Sequence, residues 1–450
     1  MKSTSGSTRR TFVQGAALGA GVAAVGATAV AAQIEGYSDP SGFRSEPLER
    51  VRIGFVGVGL QGGSHVRNFL NIDGVEIPAV CDVDAPRAEE VAGWVAEAGR
   101  PKPQVYSKGE EDWRRLLERD DIDLVFNATP WRWHVPVCVE AMKAGLHTAV
   151  EVPAAYRLDD CWLLVETAEA TGRHCVMMEN CNYGRAELQA LRMVRSGALG
   201  EVIHAEGAYI HDLRAIKFSD ANEGLWRLDH SKVRNGNLYP THGLGPVANC
   251  MDINRGDAFD FVVSMSTVQR GISRYARERF GEDDSRSLQT YALGDMNTSL
   301  IRTKLGRTIM VQHDTTTPRP YSRIHLVQGT QGTFAGYPNR VFIEGRTDGH
   351  RWEDAEAYRD EFDHPLWREL EEKAAGAGHG GMDYLEDYRL IDCLRKGEPT
   401  DMDVYDAAAL SALCECTEIS VAEKSRPVEI PDFTRGRWAK RSPIGLGEMT

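Results

Sequence analysis

The sequence predicts an α/β protein: a doubly wound parallel sheet first, then an α+β domain with an open, mostly antiparallel sheet. Three observations lead there. The apolar run VRIGFV enters a glycine turn, Gly57-x-Gly59-x-x-Gly62, that opens a helical pattern. Short apolar runs then alternate with helical periodicity as far as Asn180, as in sheets built with crossover helices. Beyond Asn180 the alternation stops and longer strands appear.

The first strand begins at Val51, and its helix is expected from Ser64 onward. Between them Gly57 allows a tight turn, Gly59 the approach of a pyrophosphate, and Gly62 close helix packing. Free N–H groups and the dipole at the helix start favour an anion. Together these make a Rossmann dinucleotide cradle. The next strand, 75–81, ends at Asp82, 20 residues after Gly62. A carboxylate there accepts hydrogen bonds from a ribose diol and repels a 2′-phosphate. Val83 and Asp84 follow it with no arginine, so NAD is expected rather than NADP. A strand at 123–127, a helix at 134–144, a strand at 147–152, a helix at 158–171 and a strand at 173–178 complete the pattern. Ligands bind beyond the carboxyl ends of such strands. Those ends carry residues 59–61, Asp82, residues 129–134, Glu151 with Val152 and Pro153, and Glu179 with Asn180.

The second domain reads as a helix at 185–196 and strands at 201–211, 261–268, 297–303, 308–313 and 324–328, with late helices at 384–395 and 404–423. Within it lies NLYPTHGLGP, residues 237–246, expected as an irregular turn ahead of a helix at 246–253. Pro240 biases Tyr239 toward extended backbone, and Gly243 and Gly245 are expected to loosen the chain after His242. Imidazole is the side chain that titrates near neutrality unperturbed, so His242 is the candidate principal base, with Tyr239 sharing proton transfer. Tyr183, just past a strand, is a third candidate. Asp383 opens a helix and is read as serving its N-terminus.

Residues 1–32 have the layout of a twin-arginine export signal: Arg9 and Arg10, a weakly apolar Ala/Gly run, and Ala29-Val30-Ala31 as a cleavage pattern. Residues 33–48 then form a linker, 49–180 the NAD-binding domain and 181–450 the substrate domain. Export to the periplasm or beyond is expected, with the protein already folded and its cofactor inside. The nine cysteines are scattered without zinc spacing and are expected as buried apolar residues, with Cys181 singled out by its loop; no metal site is expected. A net charge of −14 argues against nucleic acid or anionic lipid as partner. No membrane partner is expected for the mature form, and a homo-oligomer is left open.

Across almost all of the chain after the leader, these pieces in this order resemble the Gfo/Idh/MocA oxidoreductases. That family usually carries Glu-Lys-Pro at the end of its fifth strand, its lysine near the substrate hydroxyl; here the tripeptide is Glu151-Val152-Pro153. The glycosyl hydrolase 109 family makes that replacement and is similar in longer stretches. They are TPWRWH (129–134), EVPAAYRLDDCW (151–162), ENCNYGR (179–185), AEGAYIHDLR (205–214), LYPTHGLGPVA (238–248), INRGD (253–257) and TTPRPYSR (316–323). By that resemblance Leu60, Gln61, Asp82, Trp131, His134, Glu151, Val152, Asn180 and Tyr239 face NAD. The family often has arginine where Gln61 stands. Tyr209, Arg227, Tyr239, Pro240, Thr241, His242 and Tyr321 face the sugar.

The resemblance implies an NAD-dependent α-N-acetylgalactosaminidase acting on a small molecule or glycan with a terminal amino sugar. Most glycosidases place two carboxylates about the bond, but NAD-dependent exceptions exist. The implied cycle oxidises C3, eliminates across C1 and C2, adds water and reduces C3 again, so redox is net zero. The alternative is an exported Gfo/Idh/MocA-type sugar oxidoreductase with tightly bound NAD. A third reading, a carbohydrate-binding protein that keeps NAD as structure, is opposed by intact Tyr239 and His242.

Overall fold

β1 (Val51–Val56) runs through the middle of the first sheet because VRIGFV is apolar on both faces beyond Arg52; Val51, Ile53 and Phe55 are fully buried. The computed structural model describes residues 43–449, so the expected signal segment and the linker through residue 42 lie outside the described residues. β2 (Val75–Cys81), β3 (Gln104–Tyr106), β4 (Leu124–Asn127), β5 (His147–Val150) and β6 (Cys175–Met177) join β1 in the order β3-β2-β1-β4-β5-β6, all parallel. The chain reverses its direction of winding between β1 and β4, and the crevice at that point is where such sheets bind ligands. β3 and the helix Ala85–Glu97 were not foreseen: three strand residues behind Pro101 and Pro103 carry no periodicity to read. The first helix starts at Leu60, not Ser64. Gly62 is already helical, and a Cβ on it would lie 2.1 Å from the Gly57 carbonyl oxygen.

The second sheet has nine strands: β7 (Val202–Ile210), β8 (Phe259–Ser266), β9 (Asn297–Thr303), β10 (Thr308–Asp314), β11 (Leu326–Gly329), β12 (Gly332–Ala335), β13 (Arg340–Ile343), β14 (Glu353–Asp354) and β15 (Val428–Glu429). Their order is β14-β13-β12-β11-β7-β10-β9-β8-β15, with the β7–β10 pair parallel and every other pair antiparallel. Helices Thr241–Cys250 and Val404–Ala422 cover one face, packing on β7 and β8. The other face exposes Met265 and Leu300.

One element differs from the sequence reading in kind. NLYPTHGLGP is an irregular turn only through Pro240, because the helix begins at Thr241 and contains Gly243, Gly245 and Pro246. The glycines serve contact rather than freedom. A Cβ on Gly207 of β7 would stand 2.1 Å from the Gly243 oxygen, and one on Gly243 would stand 2.2 Å from the Ala208 nitrogen. Helix and strand therefore meet backbone to backbone. Pro246 is accommodated at the loss of one intrahelical bond. All nine cysteines are buried and unpaired. Among the described residues no helix is long and apolar enough to cross a membrane.

Candidate active site

β1 delivers Gly57 to the crevice with φ +84°, a conformation that favours glycine. A Cβ there would lie 2.6 Å from the Ala128 oxygen, so the turns after β1 and β4 touch. A Cβ on Gly59 would meet nothing within 4 Å, which leaves open space beside the turn. Gly59 caps the helix Leu60–Phe69 without a side-chain bond, so its first N–H groups are free for an anion, and Leu60 is exposed beside them. Asp82 accepts from the Val58 N–H at 2.8 Å and the Asp84 N–H at 3.0 Å, and its oxygens keep lone-pair capacity for a ribose diol. Arg87, which the sequence reading did not weigh, reaches the same turn. Its guanidinium donates to the Val58 and Gly59 carbonyls and to Glu90, each at 2.8 Å, so it braces the turn. These residues fit a dinucleotide with a free ribose diol.

Behind the cradle a buried polar layer joins its helix to the late helix Met382–Lys396. Gln61 Nε2 donates to Asp383 Oδ2 at 3.2 Å, and Asn180 Nδ2 donates to Asp383 Oδ1 at 2.7 Å. Asp383 lies in the first turn of its own helix, after the N-cap Gly381, and also ties two expected cofactor contacts together. Burial pushes its carboxyl up, but bonds and charge from His379, the charge of His65 and the Asn180 bond prevail and hold it at about 2. His65 lies between two carboxylates, with Nδ1 2.8 Å from Asp387 and Nε2 2.9 Å from Glu151. Only an imidazolium donates to both. Burial opposes its charge, yet Asp387 and Glu151 raise its pKa well above the usual value.

His242 occupies the first turn of the helix that touches β7. Its Nδ1 lies 2.7 Å from Oε1 of Glu179, at the end of β6. Glu179 is 0% exposed; burial would raise its carboxyl, but the charge and hydrogen bond of His242 hold it below the usual range. The ionised carboxylate draws the proton to Nδ1. Nε2 makes no hydrogen bond among the described residues, and the side chain is 11% exposed. Around it stands an aromatic wall. The Tyr239 ring is edge-on to His242 at 4.8 Å, Tyr209 is 4.6 Å from Tyr239, and Trp131 stacks on Tyr239 at 5.9 Å. The Arg227 guanidinium lies 5.4, 5.3 and 5.1 Å from the ring centres of Trp131, Trp226 and Tyr239, within cation–π range. Tyr321, 39% exposed, is edge-on to Tyr209 at 6.4 Å and to His211 at 5.0 Å. Burial raises the Tyr239 phenol well above its usual pKa and Tyr209 to about 12, with Arg227 offsetting only part. Both therefore stay protonated near neutrality and act as donors.

The structure gathers Trp131, Tyr209, Arg227, Tyr239, His242 and Tyr321 at one place, with Pro240 and Thr241 as the backbone that launches the helix. It does not bring Tyr183 there, since that hydroxyl is buried and donates to Asp401 at 3.1 Å. His134 is also enclosed, each ring nitrogen 2.8 Å from a carbonyl, of Pro153 and of Thr129. Val152 is buried. Glu179, Trp226 and His211 went unassigned in the sequence reading. Glu179 had a signal, as a carboxylate at a strand end, but its partner lies 63 residues away.

Residues 51–179 match the oxidoreductase family with an NAD-binding Rossmann fold, and residues 183–440 match the C-terminal domain of glycosyl hydrolase 109. A glycosyl hydrolase family 109 protein from Shewanella pealeana is 50% identical over 404 residues, covering 89% of each chain. One from Shewanella woodyi is 49% identical over 417 residues, covering 90% of this chain and 89% of its own. Among solved structures, a levoglucosan dehydrogenase complex with NADH and L-sorbose superposes with TM-score 0.66 at 19% identity, over 86% of this chain and 100% of that one. An inositol dehydrogenase homolog with NAD+ from Azotobacter vinelandii gives TM-score 0.62 at 20% identity, over 86% and 99%. These neighbours share the fold: the parallel sheet with a mixed sheet after it. With a Rossmann cradle that takes NAD and an imidazole–carboxylate pair beneath an aromatic wall, the chain belongs to glycosyl hydrolase family 109.

Proposed function

We propose that this protein hydrolyses terminal α-N-acetylgalactosamine, using bound NAD as a recycled catalyst. One observation carries the reading: His242 is held through Nδ1 by the buried Glu179, which leaves Nε2 without a protein partner beside Tyr239 and Tyr209. NAD, when bound, supplies reversible oxidation at the sugar C3. His242 Nε2 takes the proton made acidic at C2, a step worth about 10²- to 10⁴-fold when the base is well placed. Oxidation releases the C3 hydroxyl proton, which the Tyr239 hydroxyl relays to solvent; the neutral phenol then donates to the ketone oxygen, His242 passes the C2 proton to the leaving oxygen, and Arg227 with Trp131 and Trp226 keeps the Tyr239 ring in place. Tyr209 and Tyr321 offer ring faces to the sugar and exclude water from one side. Val152 leaves no ammonium where dehydrogenase relatives place their lysine, which favours hydrolysis over simple oxidation. Arg9, Arg10 and the Ala/Gly run support export by the twin-arginine route.

Chromogenic α- and β-glycosides in heavy water test the cycle. The expected result is aglycone release from the α-N-acetylgalactosaminide, deuterium at C2 of the product, and loss of most kcat in His242→Ala with NAD retained. Aglycone release with neither C2 exchange nor a primary isotope effect at C2 would overturn elimination. Accumulating lactone or keto-sugar would establish the oxidoreductase alternative.

A further inference from the structure

We propose that Glu179, Cys181 and His242 form a zinc site whose occupancy silences His242. A carboxylate oxygen, the thiol sulfur and an imidazole nitrogen of these residues lie within 4.8 Å of one another. That spacing suits a tetrahedral ion about 2.0–2.3 Å from each donor, with water as the fourth ligand. Glu179 and Cys181 leave β6 on one short turn, and the helix Thr241–Cys250 supplies the third donor. A second observation points into the same space. Oε2 of Glu179 is buried with no neighbour but the Thr241 hydroxyl to satisfy it, and both amide atoms of Asn182 are buried without a hydrogen-bond partner. The two side chains adjoin, since a Cβ on Gly245 would meet Glu179 Cγ at 2.8 Å and Asn182 Oδ1 at 2.9 Å. A buried carboxylate with so few donors is costly, and a cation relieves it.

The charges close. Ionised Glu179 and the Cys181 thiolate offset the two positive charges of the ion, so the buried complex is neutral. Thiolate and imidazole favour zinc over magnesium or calcium, which prefer oxygen. Without the ion, burial holds the Cys181 thiol protonated. On binding, the S–H proton leaves to solvent, the sulfur and Nδ1 donate their pairs to zinc, and the Nδ1 proton passes to Nε2. Nε2 then carries hydrogen and no lone pair. It can no longer accept the C2 proton. This consequence rests on the role proposed for His242; uptake of the ion does not.

The test uses chelator-treated protein with its NAD in place. Dialysis against zinc followed by metal analysis should give one ion per chain, and cobalt should show a thiolate-to-metal band with the intense visible absorption of four-coordination. Zinc should inhibit reversibly, and magnesium should not. Cys181→Ser and Cys181→Ala should keep metal-free turnover, lose the cobalt–thiolate band, and weaken zinc by about 100-fold or more, since even outer partners cost up to that. Uptake well below one ion, or cobalt bound without the thiolate band, overturns the site. One ion held through Cys181 with turnover unchanged overturns the silencing and, with it, the role of His242 as base.

Discussion

Replacing Glu179 with glutamine asks which nitrogen of His242 carries the proton. The carboxylate accepts from Nδ1 at 2.7 Å, whereas an amide can donate there and drive the proton to Nε2. Glu179→Gln should lower kcat by about 10²- to 10⁴-fold, with KM and bound NAD little changed. Tyr183→Phe is the contrast. It removes the bond to Asp401, so thermal unfolding should show a loss of about 1 kcal/mol while turnover stays near wild type. The pair separates a residue of the chemistry from a residue of the packing. The sequence showed Tyr239 and His242 together because three positions separate them. It hid the carboxylate behind His242, because that contact exists only after β6 and the later helix have met.

At the scale of elements, the touch between β7 and the helix Thr241–Cys250 sets where His242 stands. Gly243→Ala places a methyl 2.2 Å from the Ala208 nitrogen, so one backbone must move. We expect a loss of about 1–3 kcal/mol in stability and a fall in kcat with the displaced base, read by thermal unfolding and turnover. Gly93→Ala, within the helix Ala85–Glu97 and meeting nothing within 4 Å, should instead gain about 0.5–1 kcal/mol. Strands that are apolar at all but one position, such as β1 and β2, were legible at their true bounds or nearly so. The THGLGP segment was not. Glycine and proline lower helix propensity locally, and here a tertiary contact that only glycine permits decides the matter. Asp383 stands in the first turn of its helix as the sequence implied, but its bonds to Gln61 and Asn180, far along the chain, could not be read there.

For the whole molecule, the charge on His65 joins the two ends of the described chain. The sign follows from its raised pKa. The stability it supplies is fully present below the unfolded value of about 6.5 and is lost as pH rises through the elevated folded value. His65→Ala should cost about 3–5 kcal/mol by stranding Glu151 and Asp387, and should flatten this pH dependence of the melting temperature. Export is tested separately: Arg9→Lys with Arg10→Lys should retain active protein in the cytoplasm, and an unchanged periplasmic yield would refute the twin-arginine route. The Asp383 bridge also bears on the order in which the protein is made. Gln61 emerges from the ribosome 322 residues before its partner, so the nascent Rossmann half lacks one wall of its cradle until translation is almost complete. A chain cut before Asp383 should therefore bind NAD more weakly than the full chain, as equilibrium dialysis would show.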